Sequence, residues 1–483
     1  MSNKSNDSVE KPACESSPYF SEFIKRFPEY GNTKSIDDLR KTEYSRLDRL
    51  GQVYLDYTGG GLYSEKQVKD HSTLLLDHVF GNPHSTNPTS KAMTDLVVKA
   101  RNRVLEFFNA SPEEYVCIFT QNASGALKLV GESYPFSHGD TYLLTFDNHN
   151  SVNGIREFAR SKGAAVHYTP VLPPEMRIDE EKLENFLDFK KTGGNNLFAF
   201  PAQSNFSGVK HSLTWIERAH EKGWDVLLDG AAFTPTNQLD LSKVHPDFVT
   251  LSFYKIFGYP TGVGALIARQ SAMSRLHRPW FAGGTITVAS VQGDTYYLHK
   301  GAEGFEDGTL NYLSLPAVTI GLDHIASIGY GAIQTRVNCL TGWLLEKLNG
   351  LSHSNGNPVV KIYGPLEMRD RGGTIACNFF DQRGHFIDHL KVESRANTRN
   401  ISIRTGCFCN PGGGELALGI SADELTSCFA LRPNMEYDDF RQCIDDKSNG
   451  AVRISVGLVT NFDDVSRFYD FAREFVDKDS DQI

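Results

Sequence analysis

The sequence predicts an α/β fold built around a mostly parallel sheet, and three observations support this prediction. Short apolar runs such as 226–228 and 248–253 end abruptly at polar residues, as buried parallel strands do at their carboxyl ends. Longer segments between such runs, for example 92–108, carry apolar residues at helical spacing. At 483 residues the chain is also too long for one simple core, which favours two or three domains.

The composition excludes several classes of protein. Hydrophobic residues make up 40% of the chain and charged residues 22%, as in ordinary globular proteins. The net charge of −10 argues against a nucleic-acid surface, and no apolar run approaches the ~18 residues that span a membrane. Residues 1–17 are polar, so we expect a disordered tail and no secretory signal. Eight cysteines without a regular framework predict reduced thiols and a cytoplasmic protein.

The amino-terminal half alternates between predicted helices and strands. A strand that begins at Val53 leads into three consecutive glycines, Gly59 to Gly61, which are weak evidence for a phosphate-binding turn. The predicted helices are short ones within 19–47, then 65–79, 92–108 and one opening at 120; the predicted strands that follow are 115–119, 141–146 and 197–202.

The carboxyl-terminal half begins with glycine-rich polar loops and then changes to long helices. Helix 315–328 is predicted with Ser314 as its N-cap, and helix 335–348 follows it. Beyond Val359 the pattern alternates between strand and helix, with a strand at 450–457 and a capped helix after it. We place the passage from a large to a small domain at the two long helices.

Two predicted strand ends carry groups that suit one cofactor. Asp229 follows the run 226–228, and the run 248–253 delivers Ser252 and Lys255 to the same edge of the sheet, where ligands bind in α/β folds. A lysine that can form a Schiff base and an aspartate that can pair with a pyridinium nitrogen are what pyridoxal phosphate (PLP) requires. For either residue alone, a solvated strand end or a helix cap is the simpler explanation.

Residues 252–266 carry a resemblance to a known family. They read Ser-Phe-Tyr-Lys-Ile-Phe-Gly-Tyr-Pro-Thr-Gly-Val-Gly-Ala-Leu. This segment resembles the fold-type I PLP enzymes of the class V aminotransferase and cysteine desulfurase group, and within that group it is similar to the amino-terminal domain of the molybdenum cofactor sulfurases. The resemblance implies a mostly parallel seven-stranded sheet with helices on both faces plus a smaller α/β carboxyl-terminal domain. The implied divisions are a tail at 1–17, a segment at 18–70 packing with the small domain, a large PLP-binding domain at 71–330 and a small domain at 331–483.

The resemblance also implies roles for particular residues. His149 would stack on the cofactor ring, Asn205 would bond its phenolic oxygen, and Thr309 would contact the phosphate across a homodimer interface. A helix N-terminus after strand 115–119 is an anion site on physical grounds, and the resemblance places the cofactor phosphate there. Helix capping, a loop histidine and a glycine-bearing turn are the simpler explanations. The remaining implied cofactor contacts are Asn122, Ala123, Ser124, Ser252, Asp229 and Lys255.

A second centre of chemistry is predicted at two cysteines. Residues 404–412 read Arg-Thr-Gly-Cys-Phe-Cys-Asn-Pro-Gly, and glycine and proline on both sides predict an exposed, mobile loop whose thiolate lies beside Arg404. Buried structural cysteines are the common alternative, and no second cysteine or histidine pair completes a metal site. The resemblance implies a persulfide on Cys409, although spacing alone does not choose between Cys407 and Cys409. The following Gly-Gly-Glu departs from the Ala-Cys of the family.

Arg453 completes the set of predicted site residues. It lies on strand 450–457, and by resemblance its guanidinium binds the substrate α-carboxylate, whereas an arginine on a surface strand is the simpler explanation. The resemblance then implies a cysteine desulfurase reaction in which sulfur passes from L-cysteine to an enzyme persulfide and alanine is released. The implied sulfur acceptor is the molybdenum cofactor or a molybdoenzyme.

Other functions stay open from the sequence. One alternative is another class V reaction, such as a C–S lyase, an epimerase or an aminotransferase acting on a small metabolite. Ala232 leaves the reaction less constrained, because bacterial cysteine desulfurases have a cofactor-bonding glutamine in its place. A silent sulfur carrier is disfavoured by the joint presence of Asp229 and Lys255, and a nicotinamide-binding protein by the absence of a G-x-G-x-x-G motif.

Overall fold

The structure is a computed structural model that describes residues 17–189, 194–431, 439, 443 and 450–482. The predicted disordered tail therefore lies outside the described residues, apart from residue 17. The strands are β1 Val53–Tyr54, β2 Tyr115–Thr120, β3 Thr141–Thr145, β4 Ala165–Thr169, β5 Val171–Leu172, β6 Arg177–Ile178, β7 Leu197–Pro201, β8 Asp225–Asp229, β9 Phe248–Ser252, β10 Gly264–Arg269, β11 Ile286–Ser290, β12 Thr295–Leu298, β13 Val360–Tyr363, β14 Thr374–Phe380, β15 Phe386–Ile387, β16 Ile401–Ser402, β17 Arg404–Gly406 and β18 Ala451–Ser455.

Helices precede or follow most of these strands, and three short 3₁₀ helices lie at Pro28–Thr33, Gly301–Phe305 and Ser480–Gln482. The α-helices are α1 Phe20–Arg26, α2 Lys34–Glu43, α3 Arg46–Arg49, α4 Glu65–Asp77, α5 Pro88–Phe107, α6 Ala123–Ser133, α7 Asn150–Asn153, α8 Ile155–Ser161, α9 Glu180–Asp188, α10 Thr214–Glu221, α11 Phe253–Phe257, α12 Gln270–Met273, α13 Leu315–Ile328, α14 Tyr330–Asn349, α15 His389–Thr398, α16 Pro411–Leu418, α17 Ala422–Leu431 and α18 Phe462–Arg473. Among the described residues, none of these helices is both long and apolar enough to cross a lipid bilayer.

A seven-stranded sheet with the order β2-β10-β9-β8-β7-β3-β4 forms the centre of the molecule. The pairs β9–β8, β8–β7, β7–β3 and β3–β4 are parallel, and only β10 runs antiparallel to its two neighbours. The predicted mostly parallel sheet of fold type I is therefore confirmed. Because its inner strands are buried along their whole length, they are apolar almost throughout, which is why short apolar runs identified them.

Helices cover both faces of this sheet. Successive residues of β3 and β7 belong to two different hydrophobic clusters. Leu143 and Phe198 belong to the cluster that includes residues of α5 and α13, whereas Tyr142 and Leu197 belong to the cluster that includes residues of α6 and α8. This alternation follows from the two-residue period of side chains along a strand. The sheet is thus the middle layer of three, and its carboxyl edge is open to the loops that carry the polar residues.

A second, smaller sheet is built from the carboxyl-terminal part of the chain. Strands β13, β14, β18 and β17 pair antiparallel in that order, and β15 also pairs with β14. The alternation of strand and helix predicted beyond Val359 is present, but it yields an antiparallel sheet rather than β-α-β units.

The amino-terminal segment packs against this smaller sheet and its helices. Strand β1 pairs in parallel with β16, and the ring of Phe23 stacks on that of Phe462 with centroids 4.3 Å apart. Arg40 is buried and donates from Nη1 to the Val459 carbonyl at 2.7 Å and from Nη2 to Asp464 Oδ1 at 3.1 Å. The predicted domain boundaries stay predictions; residue 70 lies inside α4 and residue 330 is the first residue of α14.

Three local expectations were wrong. Ser314 precedes α13 as predicted, but its side chain accepts no capping hydrogen bond. The stretch after Thr285, to which the sequence assigned no element, forms the hairpin β11–β12. Cys428 and Cys443 form a disulfide, so the expectation of reduced thiols does not hold for this pair, whereas Cys117, Cys339, Cys377, Cys407 and Cys409 are free.

Candidate active site

The lysine lies at a tight corner between β9 and β10. Helix α11 carries Lys255, and β10 then returns beside β9, so that Gly264 pairs with Ser252. Gly258 after the helix has φ +81°, and a Cβ there would overlap the backbone of Tyr63. Only glycine combines this left-handed conformation with so close an approach, which explains the glycine that follows the lysine helix.

Asp229 ends β8 beside this corner and is buried. Its Oδ1 accepts hydrogen bonds from the Ala231 N–H at 3.0 Å and from Thr250 Oγ1 at 3.3 Å. Among the described residues no donor reaches Asp229 Oδ2, although the side chain lines a cavity. One carboxylate oxygen is thus fixed by the protein while the other is available to a ligand.

Lys255 is a half-buried amine that lines a cavity together with mostly polar side chains. Its Nζ makes no hydrogen bond or ion pair with any described residue. Burial lowers the pKa of Lys255 below that of an ordinary lysine; the negative charge of Asp229 opposes this shift, and Arg453 adds to it. A larger fraction of the amine is therefore neutral, and nucleophilic, at a given pH.

The N-terminus of α6 faces the same cavity, but it offers fewer free donors than predicted. Asn122 caps the helix by accepting from the Gly125 N–H at 2.9 Å, and the Ala123 N–H donates to Ser252 Oγ at 2.9 Å. Ser124 N–H donates to no described residue, whereas its Oγ bonds to Ser151 Oγ at 2.6 Å. Of the three predicted residues, only Ala123 has its N–H engaged by the protein, whereas the N–H groups of Asn122 and Ser124 donate to no described residue.

The cavity has a volume of about 190 Å³ and brings together most of the predicted residues. His149 caps α7 through Nδ1, which accepts from the Ser151 N–H at 3.1 Å, and burial lowers the pKa of its imidazole. Gln203 and Tyr254 also line the cavity, although the sequence assigned neither a role. The predicted residues that line it are Asn122, Ala123, Ser124, His149, Asn205, Asp229, Ser252 and Lys255.

The two cysteines lie in the turn that precedes α16. Cys409 is exposed and Cys407 is half-buried, while Phe408 between them is buried against Phe206 and Arg453. The glycines that suggested a mobile loop, Gly412–Gly414, lie in α16, whose N-cap is Asn410. Exposure of the Cys409 thiol is as expected, but the residues after Asn410 form a helix rather than a continuation of the loop, and the mobility of the turn stays a prediction.

Asn205 connects this turn to the cavity. Its Nδ2 donates to the Phe408 carbonyl at 2.8 Å, and its Oδ1 accepts from Asn410 Nδ2 at 2.9 Å. The predicted bond to a cofactor oxygen therefore has to come from the second hydrogen of Nδ2, since the other groups of the side chain are already engaged. Asn205 thus lines the cavity and also bonds to the cysteine turn.

Arg453 is buried, contrary to the surface-arginine alternative. Its Nη2 donates to Asp56 Oδ1 at 3.1 Å and its Nη1 to the Asn205 carbonyl at 3.1 Å, whereas its Nε has no partner among the described residues. Arg404 also binds Asp56, donating from Nε at 2.9 Å, so its charge is directed at this carboxylate rather than at a thiol. Asp56 was missed, although a carboxylate directly after a strand is the same signal that identified Asp229.

Four predicted residues lie outside the cavity lining. Cys407, Cys409 and Arg453 are in the neighbouring turn and strand, and the positive charge of Arg453 helps to lower the pKa of Lys255. Thr309 lines a separate cavity of about 430 Å³ together with Gln121 and Lys128. Within one chain the structure therefore does not bring Thr309 to the lysine.

A seven-stranded sheet, a lysine on a corner at its carboxyl edge and a carboxylate at the adjacent strand end together define a protein of fold type I. The model of the family described as Aminotransferase class-V matches residues 53–468. The chain belongs to the class-V aminotransferase family.

Individual relatives point to one branch of this family. The chain is 38% identical over 495 residues to the molybdenum cofactor sulfurase of Arabidopsis thaliana, which covers 93% of this chain and 60% of that protein. It is 37% identical over 459 residues to the human molybdenum cofactor sulfurase, covering 90% of this chain and 51% of that protein. The chain thus spans only about half to three fifths of the length of these relatives.

A solved structure has the same fold. The apo structure of the cysteine desulfurase from Thermococcus onnurineus NA1 superposes with a TM-score of 0.74 at 24% identity, covering 91% of this chain and 98% of that chain.

Proposed function

We propose that this chain is a PLP-dependent cysteine desulfurase that moves sulfur from L-cysteine to the Cys409 thiol and releases alanine. One observation carries the proposal: the cavity that contains Lys255 and Asp229 shares Asn205 with the turn that carries the exposed Cys409. An amine, a carboxylate and a thiol are thus held around one small space. The 38% identical sulfurase supports the same reading.

The residues of the cavity fit PLP. Lys255 Nζ and Asp229 Oδ2 have no partners among the described residues, and they match the aldehyde and the ring nitrogen of the cofactor. Ser124 N–H and the hydroxyl of Ser252 lie at the positive end of α6, where a phosphate would be held. His149 lines the same cavity and supplies a flat ring for contact with the cofactor face.

Bound PLP would supply an electron-withdrawing ring that lets a substrate carbon lose its proton. The chain's own residues do the rest. Arg453 binds the substrate α-carboxylate through its guanidinium, and Lys255 Nζ, freed from the cofactor, takes the α-proton. Asp229 would meet the ring nitrogen of the cofactor through Oδ2. The lowered pKa of Lys255 suits a base that has to be neutral before it accepts this proton.

The Cys409 thiolate then attacks the substrate sulfur. A bond forms between the two sulfur atoms as the Cβ–S bond of the substrate breaks, and its electron pair stays on Cβ, which takes up the proton released by the Cys409 thiol. Lys255 Nζ then returns the α-proton to Cα. Cysteine and the Cys409 thiol are thereby converted into alanine and a Cys409 persulfide. The acceptor of this sulfur is the molybdenum cofactor, free or within a molybdoenzyme, in keeping with the relatives that are molybdenum cofactor sulfurases.

The active species is a homodimer. Thr309 lies away from the lysine cavity of its own chain, so its cofactor contact requires the cavity of a second copy. Exposed apolar side chains around the hairpin β11–β12 offer an interface: Trp280, Val291 and Tyr297. Sedimentation velocity of the purified protein should give about twice the 53.8 kDa chain mass, and a monomer with full activity would contradict this part of the proposal.

The test of the proposed function is an absorbance spectrum of the PLP-loaded protein before and after L-cysteine, with alanine and persulfide measured in the same sample. We expect a visible band that shifts, alanine in amounts equal to the first sulfur transferred, and the sulfur located on Cys409 by mass spectrometry. Cys409→Ser should keep the spectral shift and stop alanine formation. Cys407→Ser, the matched control two residues away, should retain most of the alanine formation.

Other outcomes separate the alternatives. Pyruvate or another product in place of alanine would assign a different class V reaction such as that of a C–S lyase. Loss of alanine in Cys407→Ser but not in Cys409→Ser would move the persulfide to Cys407. If no band forms when PLP is added, the proposed function is wrong.

A further inference from the structure

The residue after the candidate nucleophile makes more contacts than a helix cap needs. Asn410 is fully buried, and its Oδ1 accepts from the Gly413 N–H at 3.0 Å, which caps α16. Its Nδ2 in addition donates to the Asp147 carbonyl at 2.7 Å and to Asn205 Oδ1 at 2.9 Å. Both hydrogens of the amide are therefore directed away from its own helix, towards the end of β3 and the wall of the cavity.

The backbone just before Asn410 has a conformation that side chains disfavour. Phe408 has φ +56° and Cys409 has φ +54°, two consecutive non-glycine residues in the left-handed region. Such residues are strained and persist only where the surroundings enforce them. Without external bonds, the turn would relax to an ordinary conformation and the Cys409 thiol would move.

The bonds that enforce this turn converge on one small group of residues. The Asn150 N–H donates to the Cys409 carbonyl at 2.6 Å, and Asn205 donates to the Phe408 carbonyl. Asn410 Nδ2 donates to Asn205 Oδ1 and so holds the side chain that bonds to the Phe408 carbonyl. Asn410 therefore supports that bond indirectly, in addition to its own bond to the Asp147 carbonyl. Removing the two N–H donors of Asn410 would loosen the turn at three points, namely at the Asp147 carbonyl, at Asn205 and, through Asn205, at the Phe408 carbonyl.

We propose that Asn410 is a positioning residue for sulfur transfer, which keeps the Cys409 thiol within reach of the substrate by tying the cysteine turn to Asp147 and Asn205. The catalytic part of this inference rests on the proposed function. Asn410 itself touches neither substrate nor cofactor. Its effect is to hold a strained turn in register with the cavity that contains Lys255.

Replacing the amide by a carboxylate separates this role from helix capping. Asn410→Asp keeps an oxygen for the Gly413 N–H, and aspartate caps helices as well as asparagine and is favoured by the helix dipole. The same change removes both donors and sets a negative charge against the Asp147 carbonyl and Asn205 Oδ1. A capping role thus predicts no loss for Asn410→Asp, whereas a positioning role predicts a large one.

The experiment compares the wild type, Asn410→Asp and a matched control, Asn461→Asp. Asn461 caps α18 by accepting from the Asp464 N–H at 3.0 Å, far from the cysteines in sequence, and its Nδ2 donates to no residue that the structure describes. For Asn410→Asp we expect an unchanged spectral shift on cysteine binding and a 10-fold to 100-fold slower formation of alanine, as misplacement by about 1 Å produces. Asn461→Asp should match the wild type in both.

A second readout does not depend on the reaction. In the protein without cofactor, iodoacetamide should alkylate the exposed Cys409 faster than the half-buried Cys407, and Asn410→Asp should reduce this ratio at least threefold. If the wild type forms no alanine, the proposed function fails, but the alkylation ratio still tests the anchoring. If Asn410→Asp forms alanine at the wild-type rate and its alkylation ratio is unchanged, the inference is overturned.

Discussion

At the scale of single residues, the site is a set of buried charges that the protein leaves incomplete. Asp229 has one free oxygen, Lys255 has no partner, and Arg453 keeps an unbonded Nε among the described residues. Buried polar groups are normally satisfied, because an unpaired one costs about 1–3 kcal/mol. Their concentration around one cavity indicates that a ligand completes them.

The lysine offers a test through stability. The pKa of Lys255 is lower in the folded than in the unfolded chain, so the unfolded chain binds more protons over part of the pH range. Keeping Lys255 charged in the folded protein therefore lowers the free energy of unfolding, and this loss is complete below the folded-state pKa. Lys255→Met should therefore raise the free energy of unfolding of the cofactor-free protein near neutral pH. The gain should shrink as the pH rises towards the ordinary lysine value of about 10.4. Urea titrations at several pH values measure this; a gain that does not change with pH would contradict it.

Which residues could be predicted depended on their sequence context. Asp229 and Lys255 stand directly after apolar strands and were predicted. Asp56 stands in the same context, but its partners Arg404 and Arg453 are 348 and 397 residues away, and no local pattern reports such contacts. Asn410 was read as part of a flexible loop because the glycines after it hide the start of a helix.

At the scale of elements, the glycine turn after β1 supports the lysine helix rather than a phosphate. A Cβ on Gly61 would lie 2.8 Å from the Lys255 carbonyl oxygen, whereas a Cβ on Gly60 would lie 3.6 Å from the Tyr254 ring. The first distance is a clash with backbone and the second an ordinary contact. Of these two glycines, only Gly61 lies too close to the backbone of α11 to accept a Cβ.

This difference predicts opposite outcomes for two neighbouring substitutions. Gly61→Ala should destabilise the protein by about 1–3 kcal/mol and weaken PLP binding, because α11 has to shift. Gly60→Ala, the matched control, should change stability by less than about 0.5 kcal/mol. Thermal unfolding and spectroscopic PLP titration check both; equal effects of the two changes would argue against the close contact.

Most elements of the fold were predictable, and the exceptions have physical causes. Buried strands and long helices carry a strong periodic signal, and Asn461 with Asp464 forms the expected capping box of α18. The hairpin β11–β12 was missed because its strands are short and largely exposed, so no buried apolar run marks them. The antiparallel direction of β10 was also not evident, since a buried strand reads the same in either direction.

At the scale of the whole molecule, a buried ionic contact ties the amino-terminal segment to the carboxyl-terminal helix α18. The side chain of Arg40 is 4% exposed and that of Asp464 2% exposed. Breaking such a pair leaves an uncompensated charge inside the protein and typically costs about 3–5 kcal/mol. The contact joins residues that are 424 positions apart.

Arg40→Ala should accordingly destabilise the protein by about 3–5 kcal/mol. Lys41→Ala is the matched control, because Lys41 is exposed and its pair with Asp38 spans 3.4 Å; it should cost less than about 0.5 kcal/mol. Chemical denaturation of both variants measures the difference. A cost for Arg40→Ala as small as that of the control would show that the segment is not held by this contact.

The direction of β10 also bears on the order in which the site is assembled during folding. The strands on either side of the lysine corner pair at Ser252 and Gly264, which are about a dozen residues apart in sequence. Asn205 and Phe408, whose hydrogen bond joins the cavity to the cysteine turn, are 203 residues apart. Closing the longer loop costs about 2.5 kcal/mol more in chain entropy. We therefore expect the lysine corner to form early, through local contacts, and the cysteine turn to dock late. On the ribosome, the amine would be in place well before the residues of its thiol partner have been synthesised.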